Sequence, residues 1–217
     1  MSEEVALLVV LDVDSTLSNE EGIDEIAREA GTGVQQAVAE ITARAMAGEL
    51  DFAESLNKRV KALAGISLES LARVSQRITA THGAAELVRA VHALGGRVCA
   101  VSGGFHELVD PLASSLGLDA WRANRLGHDG HVLTGDLDGP IVDAHAKRTT
   151  VLEWAEEYRV PIERVIVVGD GANDLLMMDA AGLSVAFCAK PVVREHADVA
   201  IDQRDLSLVI GLLDVSA

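Results

Sequence analysis

The sequence predicts an α/β domain: a mostly parallel sheet with helices on both faces, carrying an inserted all-helical bundle after its first strand. Three observations carry that prediction. Short runs rich in Val, Leu, Ile and Ala recur at residues 5–11, 97–101 and 164–168, each followed by a small or acidic turn, as strands buried on both faces of a parallel sheet would read. Helical periodicity fills the stretches between the later runs, the alternation of a layered α/β core. Residues 18–80, by contrast, hold four amphipathic helical patterns and no strand candidate. The predicted division is a core of residues 1–17 and 81–217 with a helical cap at 18–80.

The elements follow in order. The first run ends in Asp12-Val13-Asp14-Ser15-Thr16, and acids at the carboxyl end of a strand stand where open α/β sheets bind ligands. A helix cap by Asp14 or Ser15 is the plain alternative; it accounts for one acid, not two. Ile23, Ile26, Ala27 and Ala30 then share a helical face closed by Gly31, and Val34, Ala37, Val38, Ile41 and Ala45 repeat the pattern. Phe52, Leu56, Val60 and Leu63 make the third such face, and Leu68, Leu71, Val74 and Ile78 the fourth. After a helix over 84–94, the second strand ends in Ser102-Gly103-Gly104, a small, donor-rich turn. Residues 105–116 read as a helix that Pro111 kinks or starts late. Residues 120–139 are polar and turn-rich, with Asp129-Gly130 signalling a hairpin. A helix over 143–158 precedes the third strand, which runs into Gly169-Asp170-Gly171-Ala172-Asn173-Asp174. A helix at 175–181 and strands at 183–188 and 198–202 complete the expected core.

Composition narrows the partners. A chain of 217 residues forms one large domain, or a core with a smaller insertion. With 49% hydrophobic but only 3% aromatic residues, its core must be aliphatic. A net charge of −16 argues against nucleic acid and anionic membranes as partners. Met1-Ser2-Glu3-Glu4 is acidic where a signal peptide needs positive charge, and the apolar run behind it is too short to span a bilayer. The expectation is a cytoplasmic protein, monomer or homodimer, acting on a small molecule. Cys99 and Cys188 lie in apolar runs and are expected as buried free thiols.

Taken together, Asp12-Val13-Asp14-Ser15-Thr16, Ser102-Gly103-Gly104, Lys147 and Gly169-Asp170-Gly171-Ala172-Asn173-Asp174 resemble the four ordered motifs of the haloacid-dehalogenase-type phosphatases. The resemblance extends through Glu20-Glu21-Gly22-Ile23-Asp24-Glu25-Ile26-Ala27 and Ser55-Leu56-Asn57-Lys58-Arg59-Val60 to the branch that hydrolyses phospho-L-serine, the closing step of serine biosynthesis. It implies a Rossmann-like core and Mg²⁺ held by the Asp12 and Asp170 side chains and the Asp14 carbonyl, with Asp174 supporting the site from behind. It further implies that Asp12 attacks phosphorus to give an aspartyl-phosphate and that Asp14 serves as the acid and later the base. Ser102 with the Gly103 amide would bind phosphoryl oxygens at a helix N-terminus. Lys147 would neutralise the transferring group, and Asn173 would assist at the phosphate. Substrate choice would fall to Glu21 for the ammonium and Arg59 for the carboxylate, with Met46 and Phe52 as an apolar wall.

Three rivals use parts of the same pattern. The same chemistry on another small phosphomonoester, or phosphoryl transfer to an alcohol such as homoserine, differs only in substrate. A signalling receiver also phosphorylates an Asp, yet needs neither Asp14 nor a cap. A dinucleotide site is disfavoured because Asp174 stands where the glycine motif needs a small residue and Asp170 would repel a pyrophosphate.

Overall fold

The computed structural model describes residues 5–213; Met1-Ser2-Glu3-Glu4 lies outside them. Strand β1 (Leu8–Leu11) is buried at every position. Its neighbours are β2 (Arg97–Phe105) on one side and β6 (Val165–Gly169) on the other. With β3 (Ala120–Asn124), β7 (Leu183–Phe187) and β8 (Val199–Ile201) they form a parallel sheet in the order β3-β2-β1-β6-β7-β8. The order turns at β1/β6, so the crevice for a ligand opens beyond the carboxyl ends of those two strands. Asp12 leaves β1 there and Asp170 leaves β6.

Alternate residues face opposite sides of the sheet, and both sides are covered. Leu7, Val9 and Leu11 pack with Val98, Ile166 and Val168 beneath α5 (Ala84–Ala93), α6 (His106–Leu116) and a terminal turn at Leu206–Leu212. Leu8 and Val10 pack with Cys99, Val165 and Val167 beneath α7 (Ala144–Tyr158), α8 (Leu175–Met178) and α9 (Pro191–His196). Two buried faces are why these strands read as continuous apolar runs.

Residues 18–80 fold as α1 (Gly22–Ala30), α2 (Thr32–Met46), α3 (Phe52–Ala62) and α4 (Leu68–Ser75). Asp51 and Ser67 cap α3 and α4 by accepting the backbone N–H of Glu54 and Ser70. The four helices enclose a third core around Ile26, Leu56, Val60, Leu63 and Val74. That core also takes Phe105 and Leu108 from the sheet side and Leu126 and Leu133 from the hairpin β4 (Leu126–His128)–β5 (Leu133–Leu137). A bridge between Ser18 and Ala80 joins the two chain crossings at the base.

Several elements differ from expectation. Residues 120–124 are an edge strand, not part of a turn-rich stretch; in its Ala-Trp-Arg-Ala-Asn sequence only Ala123 and Asn124 are fully buried, and there is no apolar run. Strand β2 continues through Ser102-Gly103-Gly104 to Phe105 instead of ending in a turn, with its pairing to β3 irregular there. Pro111 sits inside α6 and does not mark a late start. The short α9, opened by Pro191, and the turn at Leu206–Leu212 carried too little periodicity to be legible. Cys99 is a buried free thiol; Cys188 is free but half-buried, just beyond β7, at φ 46°.

Candidate active site

Beyond β1 the chain winds through a turn at Val13–Leu17, closed by Leu17 N–H to Asp12 O (3.2 Å) and Ser18 N–H to Val13 O (2.9 Å). Ser15 takes φ 58° in this turn, a left-handed conformation that costs a non-glycine residue about 1 kcal/mol. The tight turn places Asp12 and Asp14 on one cavity wall. Asp14 Oδ1 accepts the Gly22 N–H at the start of α1 (2.8 Å), and the Ser15 hydroxyl donates to Glu21 Oε1 (2.6 Å). Through these two bonds the first loop of the core grips the first helix of the insertion.

Behind the wall lies a buried ion cluster. Lys147, on the first turn of α7 after the Asp143 cap, is fully buried and donates to Asp12 Oδ1 (2.5 Å) and Asp174 Oδ1 (2.7 Å). Asp174 Oδ2 accepts the backbone N–H groups of Asp170 (3.1 Å) and Gly171 (3.0 Å). Asp174 therefore spends its oxygens on protein donors and fixes the loop after β6. One oxygen from each of Asp12, Asp170 and Asp174 falls within 4.8 Å of the others, and such an all-oxygen set suits a hard divalent cation.

The electrostatics point the same way. Burial, then Asp174, raises the Asp12 carboxyl well above the usual range against the pull of Lys147. Burial, then Glu21, pushes Asp14 up to about 7, opposed by the Gly22 N–H and Lys147. Asp170 rises to about 6 through burial, Asp174 and Glu21. Burial presses the Lys147 ammonium down, but Asp12 and Asp174 outweigh it and its pKa ends above the ordinary lysine value. In all three carboxyls burial is the largest cause and disfavours the ionised form, and the nearby Lys147, with Lys190 acting on Asp170, does not offset it.

The cavity holds about 130 Å³. Asp12, Asp14, Asp170 and Asn173 line its core side, and Glu21, Phe52 and Arg59 line its insertion side. Arg59 is half-buried near Asp24, Glu21 and Asp14; burial lowers its pKa while those acids oppose the shift. Gly103 and Gly104 form the floor: a Cβ on Gly103 would stand 3.1 Å from the Phe52 ring, and one on Gly104 would stand 2.6 Å from Asp14 Oδ2 and 3.0 Å from Ser102 Oγ.

Two expectations are corrected by position. Met46 is 76% exposed at the end of α2 and does not line the cavity; Ile23 and Leu56, which face the shared core, stand beside Phe52 as the apolar wall. Ser102 and Gly103 do not sit at a helix N-terminus, because α6 begins only at His106; they lie on the extended tail of β2, with Ser102 buried and its Oγ accepting the Gly104 N–H (2.8 Å). Lys190 also lines the cavity, at the start of the unforeseen α9 with its N–H on the Asp170 carbonyl (3.1 Å). A lone lysine before a proline offered no signal.

Comparison with known proteins agrees with this geometry. The chain is 48% identical over 211 residues to a phosphoserine phosphatase of Streptococcus thermophilus, covering 97% of each. A solved phospho-aspartyl intermediate analogue of phosphoserine phosphatase superposes with a TM-score of 0.88 at 44% identity, covering 95% of this chain and 98% of that one. A substrate-bound phosphoserine phosphatase complex superposes with a TM-score of 0.89 at 42% identity, covering 97% and 100%. The family model for haloacid dehalogenase-like hydrolases matches residues 9–179, and the chain belongs to that family.

Proposed function

We propose that this protein hydrolyses O-phospho-L-serine to L-serine and phosphate, with Mg²⁺ held by Asp12, Asp170 and the Asp14 carbonyl. The observation that carries the reading is the buried Asp12–Lys147–Asp174 cluster opening into a small cavity whose far wall carries both an acid, Glu21, and a base, Arg59. A phosphomonoester brings roughly two negative charges, and the acids of this site need a cation before such an anion can approach. Mg²⁺, when bound, supplies that neutralisation and polarises the phosphoryl oxygens.

The protein groups divide the remaining work. Asp12, oriented by Lys147, attacks phosphorus in line; the bond from its carboxylate oxygen to phosphorus forms as the bond to the seryl oxygen breaks. Asp14 donates its proton to the leaving alkoxide. With Oδ1 committed to the Gly22 N–H, Oδ2 is the oxygen that carries this proton. The same carboxylate then takes a proton from the water that opens the aspartyl-phosphate, which restores Asp12 and releases phosphate. The Ser102 hydroxyl, the Gly103 amide and Asn173 hold phosphoryl oxygens. Glu21 receives the substrate ammonium and Arg59 its carboxylate, while Phe52 packs over Gly103 and excludes water. Helices α1–α4 act as the lid. The reading places the enzyme in the cytoplasm, at the last step of serine biosynthesis.

The test is phosphate release from phospho-L-serine against phosphothreonine, homoserine phosphate and phosphoethanolamine, with and without Mg²⁺. The expected result is a lead of orders of magnitude for phosphoserine, lost on chelation and in Asp12→Asn. Release that needs Asp12 and Mg²⁺ but favours another ester would overturn the roles of Glu21 and Arg59 and keep the chemistry.

A further inference from the structure

Asn124 is a polar residue in a strand, 1% exposed. Asparagine is depleted in strands, and a buried amide needs partners for both of its ends. Both ends are satisfied here. Its Nδ2 donates to Gly103 O (2.8 Å) and its Oδ1 accepts the Val142 N–H (2.8 Å). The Gly103–Gly104 peptide is thus held at its carbonyl by Asn124 and at its N–H by Ser102 Oγ. A peptide unit is planar, so fixing its carbonyl fixes the direction of its N–H. Flanked by two glycines, this unit has no side chain of its own to anchor it and is the kind of backbone that turns most freely.

The consequence falls on Ser102. A hydroxyl has one proton to give and lone pairs to receive. Because the Gly104 N–H occupies the receiving side, the O–H is turned away from that peptide, and among the described residues it meets no protein acceptor. The same hydroxyl and Asp14 Oδ2 converge on Gly104, at 3.0 and 2.6 Å from a Cβ placed there. The other arm of Asn124 holds Val142, the residue before the Asp143 cap of α7, whose first turn carries Lys147.

We propose that Asn124 is a positioning residue that aims the Ser102 hydroxyl at the transferring phosphoryl group by clamping the Gly103–Gly104 peptide against the start of α7. The inference rests on the phosphatase reading above and adds to it a residue outside the cavity wall.

The test is a double-mutant cycle on the Mg²⁺-loaded protein. Asn124→Asp keeps the shape and the acceptor for Val142 but replaces the donor to Gly103 with an oxygen. It is expected to lower kcat about 10- to 100-fold, the usual effect of removing a group that orients a functional one, with KM changed less than about threefold because Glu21 and Arg59 are untouched. In a Ser102→Ala background the same change should lower kcat by less than about threefold, since the group it aims is gone. Thermal unfolding identifies which variants fold, and Asn124→Ser, smaller and neutral, enters the same cycle if Asn124→Asp does not. Unchanged kcat in Asn124→Asp, or a full drop in both backgrounds, overturns the proposal. Running the cycle with p-nitrophenyl phosphate beside phospho-L-serine separates the two readings: turnover of the nitrophenyl ester alone defeats the substrate assignment while the cycle still decides Asn124. Turnover of neither ester defeats both.

Discussion

In the proposed mechanism, acid catalysis turns on Asp14. Burial and Glu21 bring its pKa to about 7, where a group divides its time between giving and taking a proton, the condition a dual acid and base needs. Asp14→Asn keeps the acceptor for Gly22 but loses the proton; kcat for phospho-L-serine should fall by about 10²- to 10⁴-fold. A leaving group that departs without a proton, p-nitrophenolate, should recover part of that loss, and steady-state kinetics on both esters would show it. Lys147 makes a different prediction. Fully buried between Asp12 and Asp174, it balances two largely buried carboxyls, so Lys147→Met should lower metal-free stability by about 3–5 kcal/mol, measured by urea unfolding. A variant as stable as the parent would mean that the two carboxyls simply take up protons.

Among the elements, the tail of β2 has the least room. Gly104 faces Asp14 Oδ2 so closely that Gly104→Ala must displace the Asp14 carboxyl or the strand. The expected result is a stability loss of about 1–3 kcal/mol together with at least a tenfold loss of kcat, read from thermal melts and phosphate release on the same preparation. Gly103→Ala presses instead on the edge of the Phe52 ring. This change should raise KM more than it lowers kcat, because Phe52 stands on α3 and lines the insertion side of the cavity rather than the side of Asp12 and Asp14.

These elements also show what was legible in the sequence. Strands β1, β2 and β6 lie inside the sheet, so burial on both faces left unbroken apolar runs. Helices α1, α3 and α4 each bury one face, and their 3.6-residue period was plain. Edge strand β3 and short α9 bury too little to impose a pattern of their own. Met46 had the right residue type and misled, because α2 buries only Val38 fully and leaves its end in solvent.

For the whole molecule, the site acids set how stability responds to pH. Asp12, Asp14 and Asp170 all have folded pKa values above the ordinary value of about 3.9. For Asp14 and Asp170 the stabilising contribution is therefore complete below about pH 4 and is lost as pH rises through about 6 to 7, and that of Asp12 is lost in the same direction. Glu29, Asp119 and Asp198 are depressed instead, Glu29 by Arg73 and Arg77; they lend stability above about pH 4 that disappears on acidification. Metal-free protein should thus melt lower at pH 8 than at pH 5.5. Mg²⁺ should raise the melting temperature more at pH 8, where the carboxylates are ionised and ready to bind. Thermal melts in EDTA and in Mg²⁺ at the two pH values check both statements, and an equal Mg²⁺ shift at both would remove these acids as the metal site.

The sequence by itself determined the α/β alternation, the helical insertion and the acids at two strand ends, because each is written locally: a short unbroken apolar run, a 3.6-residue period, or a carboxylate at the end of an apolar run. Only the tertiary structure decided which donors those acids meet. Lys147 lies 135 positions from Asp12, and Asn124 reaches Gly103 from a neighbouring strand. No local pattern encodes such pairs, since sheet order and crossovers bring them together and burial then makes them strong.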